Sequence, residues 1–287
     1  MTIRTLLNGC CMALLVVAME ASGGFVSDSF DSSHDYLASG VAGTIWDGFF
    51  YNFTNGNATV AAADANVSNA GVLTLRSTNG SWENNDDDGI LLYKNVSGDF
   101  DAVVQVVNMN TPEWHDGGLM ARIPNLADAG AGEDWVAVKY FAHVGNNGVR
   151  SVNDGLTATT EYGGTQPWLR LKRTGDTFTF FRGTDGTNWT QLTSITRPDM
   201  TGQAVQVGIW HATFVGNEGI AQFGNFALRT PTYWALNAGG SWATLGNWTS
   251  GVPDGQSEWA EFTNVLATGS SLVLDGDRKV GSLTFSS

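Results

Sequence analysis

The sequence predicts an all-β protein: a two-sheet antiparallel jelly-roll sandwich with a short C-terminal β-rich extension. Three observations point there. Glycine supplies 36 of 287 residues, well above its usual share of roughly one in fourteen. Charged residues are only 15%, and lysine is confined to Lys94, Lys139, Lys172 and Lys279; a coiled coil or helical bundle needs far more Ala, Glu, Lys and Leu. Short β-branched and aromatic runs recur between Gly, Asp, Asn and Thr turns, and no stretch shows a convincing amphipathic helix.

Residues 1–23 read as a secretory signal peptide. Arg4 supplies the positive start, Leu14 to Met19 the apolar stretch, and Ala21, Ser22 and Gly23 a small-residue exit. The stretch is shorter than the roughly 20 residues of a membrane span. A buried N-terminal strand is the alternative, and Leu7-Asn8-Gly9-Cys10 faintly resembles a lipobox. Both cysteines, Cys10 and Cys11, fall in this leader, so the mature chain would carry no disulfide.

Residues 24–230 carry the sandwich. Phe100 to Val107, Gly118 to Ile123 and Trp135 to Phe141 are strand-like. Trp168-Leu169-Arg170-Leu171-Lys172-Arg173 alternates apolar with basic, so its apolar side chains share one face. Thr174-Gly175-Asp176 turns it back into Thr177 to Arg182, a hairpin. Asp185-Gly186 is a turn that tolerates positive φ. Val205 to Trp210 and Ala221 to Leu228 close the set, and a break is expected at Thr230-Pro231-Thr232. Residues 231–287 are Trp- and Gly-rich. Leu272 to Gly276 and Val280 to Phe285 read as consecutive rungs of short strands, as at the start of a solenoid.

The middle of the chain also resembles a known family. Asn95 to Val104 is similar to the "v-x-G-D-F-x-v-x-v" strand of concanavalin A-like lectin/glucanase sandwiches, and Asp116 to Arg122 to their "D-x-x-G-L-M-x-R" strand. Trp168 to Arg173 with Asp185 to Trp189 resembles "W-L-R-L-x-R … S-x-D-G-x-x-W", and Phe223 to Phe226 their closing strand. The nearest members are small modules in secreted bacterial proteins and β-xylosidase tails. The resemblance implies a two-sheet jelly roll that often binds carbohydrate. Tyr233 to Ser287 resembles the opening of autotransporter-like β-solenoid proteins.

Catalysis finds little support in the residues. A retaining glycosidase needs two carboxylates about 5 Å apart, hence acids two or four apart on one strand. The E-x-D-x-E run of the family's glucanases is missing, Glu83 and its neighbours lie in a polar stretch, and adjacent Glu133 and Asp134 would face oppositely. His34, His115, His143 and His211 lack zinc-ligand spacing. The expectation is a non-catalytic carbohydrate-binding or adhesion module, secreted to the extracellular space or cell surface. The alternatives are a structural module of a larger extracellular β-solenoid protein and a glycoside hydrolase on the same fold.

Indole rings pack on the C–H faces of pyranoses while acids and amides take hydroxyls, so loop tryptophans beside polar groups are the candidate ligand contacts. Trp114, His115 and Asp116 form one such group, Trp82 a second, and Trp210 with His211 a third; core packing is the alternative for each. Trp135, Trp168 and Trp189 are assigned to core or turn packing, and Arg122 and Arg170 to an acid or a ligand. Calcium is the cofactor to weigh, with Asp86, Asp87 and Asp88 or Asp28, Asp31 and Asp35 as ligands and solvated acidic loops as the alternative. The partner expected is a polysaccharide or cell-surface glycan. A net charge of −14 excludes sequence-neutral nucleic-acid binding and argues against anionic sugars unless calcium bridges them.

Overall fold

The computed structural model describes residues 24–51, 59–84, 86–124, 133–263 and 266–285, with backbone alone at Asp86 and Asp87. The expected signal peptide, with Cys10 and Cys11, lies outside the described residues.

Two antiparallel sheets stack as a sandwich. The front sheet runs, in hydrogen-bonded order, through Leu156–Gly163, Asn146–Asn153, Asp134–Phe141, His115–Ile123, Val205–Thr213, Ile90–Val96 and Gly48–Tyr51. The back sheet runs through Trp189–Thr196, Thr177–Gly183, Trp168–Thr174, Phe100–Met109, Gly219–Tyr233, Leu73–Thr78, Thr59–Ala65 and His34–Asp35, and Gly24–Asp28 adds to Gly219–Tyr233. Among the described residues the α-helix is a single turn, Tyr36–Ser39, capped by Asp35. Among the described residues no helix is long and apolar enough to cross a membrane.

Period-two alternation builds the core. Leu119, Ala121, Val136, Val138, Val207 and Ile209 of the front sheet meet Leu169, Leu171, Phe178, Phe180 and Phe223 of the back sheet. Each fully buried Leu or Phe contributes roughly 1.5–3 kcal/mol. The expected hairpin forms, with Thr174 paired to Thr177 and Gly175 at φ 61°, as a two-residue turn with positive φ at its first position requires. Leu156–Gly163, at the sheet edge and mostly exposed, shows little strand signal in sequence because nothing apolar is asked of it.

At Pro231, where the sequence changes texture, the strand itself does not stop. Gly219–Tyr233 is one continuous strand. Its antiparallel pairing with Gly24–Asp28 ends at Thr230, and Pro231–Tyr233 then pairs in parallel with Trp259–Glu261. Proline sits where one ladder hands over to another, a position that tolerates its missing N–H. Beyond it, Trp259–Phe262 pairs in parallel with Ser282–Phe285, and Gly240-Ser241 with Leu272-Val273. Trp234, Trp242, Trp248, Ala260 and Phe262 form a small core of their own.

Candidate functional site

The outward face of the front sheet is divided in two. One half is sealed. The short hairpin of Trp82–Glu83 with Asp86-Asp87 packs Trp82 edge-on to Trp135, ring centroids 6.3 Å apart, and Trp135 lies 6.4 Å from Trp210. Leu91, Met120, Ala137 and Val152 complete this layer. Gly89 makes the seat: a Cβ there would lie 1.7 Å from the Trp82 indole nitrogen. Arg122 runs beneath Phe50 and Trp82, 4.4 and 5.2 Å from their ring centroids, and forks onto Glu133 at 3.0 and 3.2 Å. Trp82 and Trp210 are each 0% exposed. As glycan-stacking surfaces they are corrected: the strand places Trp210 on the outward face, and Trp82 closes over that layer.

The other half is open. A cavity of about 390 Å³ is lined by Glu83, Trp114, Asp116, Phe141, Arg150 and Phe214. Trp114 is 55% exposed, with its ring 6.2 Å from that of Phe141. Its φ is 56°, a left-handed conformation that a bulky residue adopts only under constraint. The Phe214 N–H donates to the Trp114 carbonyl at 3.0 Å and holds it there. Such strain concentrates at binding sites.

Beneath that ring is a buried charge network. Lys139 Nζ donates to Asp116 Oδ2 at 3.0 Å and to Glu161 Oε1 at 2.7 Å, and Arg150 Nη2 reaches Asp116 Oδ2 at 3.2 Å. Arg150 also donates to the Trp82 carbonyl at 3.1 Å, which links the two halves. Gly148 leaves the space: a Cβ there would sit 2.6 Å from Glu161 Oε2 and 2.7 Å from Lys139 Cε. Asp116 is 2% exposed, and its Oδ1 has no hydrogen-bond partner among the described residues. A buried carboxylate oxygen without a donor costs free energy, and a ligand hydroxyl would satisfy it.

Thus Trp114 and Asp116 come together, whereas His115, between them in sequence, points the other way. Strand alternation sends it into the core. Its Nε2 lies 2.7 Å from His211 Nε2, its Nδ1 faces the Asn110 carbonyl at 3.1 Å, and His211 Nδ1 meets Ser77 Oγ at 3.2 Å. The partners dictate one proton arrangement: His115 Nδ1–H donates to Asn110, His211 Nε2–H to His115, and the Ser77 hydroxyl to His211. Burial pushes His115 down to about 4. Burial and the neighbouring His115 hold His211 well below its ordinary range. Both histidines are fully buried, which corrects their assignment as ligand contacts.

Two of the acids proposed for calcium use their carboxylates elsewhere. Asp28 accepts from the Phe30 N–H at 2.8 Å and the Trp46 indole at 3.0 Å. Asp35 caps the helix through the N–H groups of Leu37 and Ala38. The Asp31 backbone carbonyl accepts from Asn66. The Asp86 and Asp87 side chains lie outside the described residues, and Asp88 is 3% exposed. Among the described residues no three His, Cys, Asp or Glu side chains form a metal-binding group, so the Asp28, Asp31 and Asp35 group does not fit calcium. The residues absent from the sequence-based site are Glu83, Lys139, Phe141, Arg150, Glu161 and Phe214. The available signal was a lone lysine in the otherwise apolar strand Trp135 to Phe141, on the same parity as Phe141.

Stacked antiparallel sheets with an open outward face define a jelly-roll sandwich. The chain belongs to the family described as "Protein of unknown function (DUF1349)", which it matches over residues 74–231, more than half its length. No curated protein matches the sequence. Among solved structures, a mutant of the GH43 protein BlXynB from Bacillus licheniformis is similar at TM-score 0.50 and 14% identity, over 71% of this chain and 39% of that one. A functionally unknown protein from Saccharomyces cerevisiae aligns at TM-score 0.49 and 17% identity, over 64% of this chain and 95% of that one. Basic winged bean lectin aligns at 0.40 and 9%, over 71% and 98%. The chain therefore spans about two fifths of the Bacillus protein, and the likeness concerns the fold.

Proposed function

We propose that the protein is a secreted, non-catalytic carbohydrate-binding or adhesion module that docks a polysaccharide or cell-surface glycan in the Trp114 cavity. One observation carries this: an exposed indole held in a left-handed backbone beside a buried carboxylate oxygen that lacks a donor. A pyranose stacks its C–H face on Trp114, bordered by Phe141. A hydroxyl of that ring reaches Asp116 at the cavity wall once the side chains covering Oδ1 move aside, and the charge-assisted bond is worth roughly 1.5–3 kcal/mol. Lys139 and Arg150 keep the carboxylate in place. The test is retention on insoluble polysaccharides and a glycan array for wild type, Trp114→Ala and Asp116→Asn. Retention should drop at least tenfold in both variants. Unchanged retention in Trp114→Ala, or no retention of wild type on any glycan, overturns the proposal.

A second reading has its own observation. Glu83 and Asp116 both line the cavity, and glycoside hydrolysis uses two carboxylates. Release of reducing sugar by wild type, lost in Glu83→Gln, would favour a hydrolase over a binding module.

A further inference from the structure

On the opposite side of the molecule, the outward face of the back sheet carries a second groove. Two cavities, about 410 and 370 Å³, share Arg170 and Arg229 in their walls. The first is bordered by Trp168 and Trp189, and the second by Lys172 and by Trp259 of the C-terminal extension.

The register explains an unusual charge arrangement here. Asp101 stands directly across from Lys172 on one side and from Arg229 on the other. Its carboxylate goes to neither. Arg170, two residues along the strand from Lys172, takes both oxygens, Nε to Oδ1 at 2.7 Å and Nη2 to Oδ2 at 2.5 Å. Lys172 and Arg229 are left without a hydrogen bond or ion pair among the described residues. Lys172 rests only on the Trp259 ring at 5.4 Å, and Arg229 only on Phe25 at 5.7 Å. Arg229 Nε is shielded from solvent and unpartnered. Every other described arginine is hydrogen-bonded.

The carboxylates bordering the groove already accept from other groups, Asp101 from a cation and Asp28 and Glu258 from neutral N–H donors that leave their charge in place. Asp28 accepts from Phe30 and Trp46, Asp101 from Arg170, and Glu258 from the Asp254 N–H. Lys172 and Arg229 flank the Arg170–Asp101 pair without a hydrogen bond of their own among the described residues, so an acidic group placed between them is their complement at that spot. The chain's net charge of −14 does not forbid this, because distant acids are screened beyond about 8 Å at physiological salt. A polyphosphate chain would need many cations, whereas this groove offers two. Its other surfaces, half-buried Trp168 and Trp189 with Ser27, Asn225 and Gln256, suit rings rich in hydroxyls.

We propose that this groove binds a segment of acidic polysaccharide, its acid group on Lys172 and Arg229 and the next ring against Trp168 and Trp189. The site is separate from the Trp114 cavity and does not depend on it. The experiment is calorimetric titration of the full chain with tetragalacturonate, with its methyl ester, and with a sulfated galactan tetrasaccharide. Tetragalacturonate should bind, its ester at least tenfold more weakly, and the affinity should fall between 50 and 200 mM salt. Lys172→Gln and Arg229→Gln should each weaken binding about tenfold, whereas Trp114→Ala should leave it unchanged. Neither cation has a hydrogen bond or ion pair among the described residues, so both variants should melt close to wild type; the acid–ester comparison on wild type decides the matter if they do not. Tighter binding of the sulfated sugar would support the groove and assign sulfate esters as its anion. Equal binding of acid and ester, wild-type affinity in the double variant, or no binding of either acidic sugar overturns the proposal.

Discussion

The two halves of the front sheet's outward face share strands, residue types and charge pairs, yet only one is a surface. In the sealed half Trp82, Trp135 and Trp210 are all fully buried, and Arg122 is closed off with Glu133. In the open half Trp114 projects, and Lys139 and Arg150 grip a carboxylate that still has a free oxygen. The difference is the Trp82 hairpin, which covers one end of the sheet and stops short of the other. A tryptophan's identity and its place at a strand end say little about exposure; what folds across it decides.

The comparison can be broken most forcefully at the buried members of each half. Trp82→Ala empties a sealed site and should cost about 3–5 kcal/mol, read by urea unfolding. Asp116→Ala leaves two buried cations short of their acceptor and should cost about 3–5 kcal/mol. A cost below about 1 kcal/mol for either would mean that half is not packed as described.

The histidine pair between the sheets gives a smaller, pH-dependent effect. An unfolded histidine titrates near 6.5, while His115 is pushed down to about 4 and His211 also lies well below its ordinary range. Above about pH 6.5 neither state gains a proton, and the pair's contribution is fully present. Between about 6.5 and 4 the unfolded chain takes up protons that the fold refuses, so stability declines by up to about 1.4 kcal/mol per pH unit for each histidine. Unfolding midpoints at pH 7, 6 and 5 test this. A flat profile would contradict a buried, neutral pair.

The smallest stability effect is expected at Trp114, the residue on which the proposed binding rests. Trp114→Ala removes an exposed ring and should change stability by less than about 0.5 kcal/mol. Trp114→Gly should be at least as stable, since glycine takes positive φ freely. Both should lose glycan retention. A large stability loss in Trp114→Ala would make that ring a packing element, like its sealed counterparts.

Strands with strong patterning were legible before any coordinates. Trp168 to Arg173 alternates cleanly because one face packs on the core, and the Gly175 turn follows from its φ requirement. Trp114, His115 and Asp116 were read together as one loop group beside a strand, and the structure puts Trp114 and Asp116 on one cavity. The strand in fact begins at His115, and alternation sends that side chain inward, which adjacency in sequence hid. Lys139, Arg150 and Glu161 come from three different strands of the front sheet, so no local spacing could announce them.

Local chemistry, acting over two to six residues, settled the all-β class, the turns and the alternation of each strand. Which tryptophans see water, which acid Arg170 captures, and which cations are left over depend on register across neighbouring strands and on the segments that fold over them. Those contacts join residues far apart in the chain, and only the assembled sheets bring them within reach.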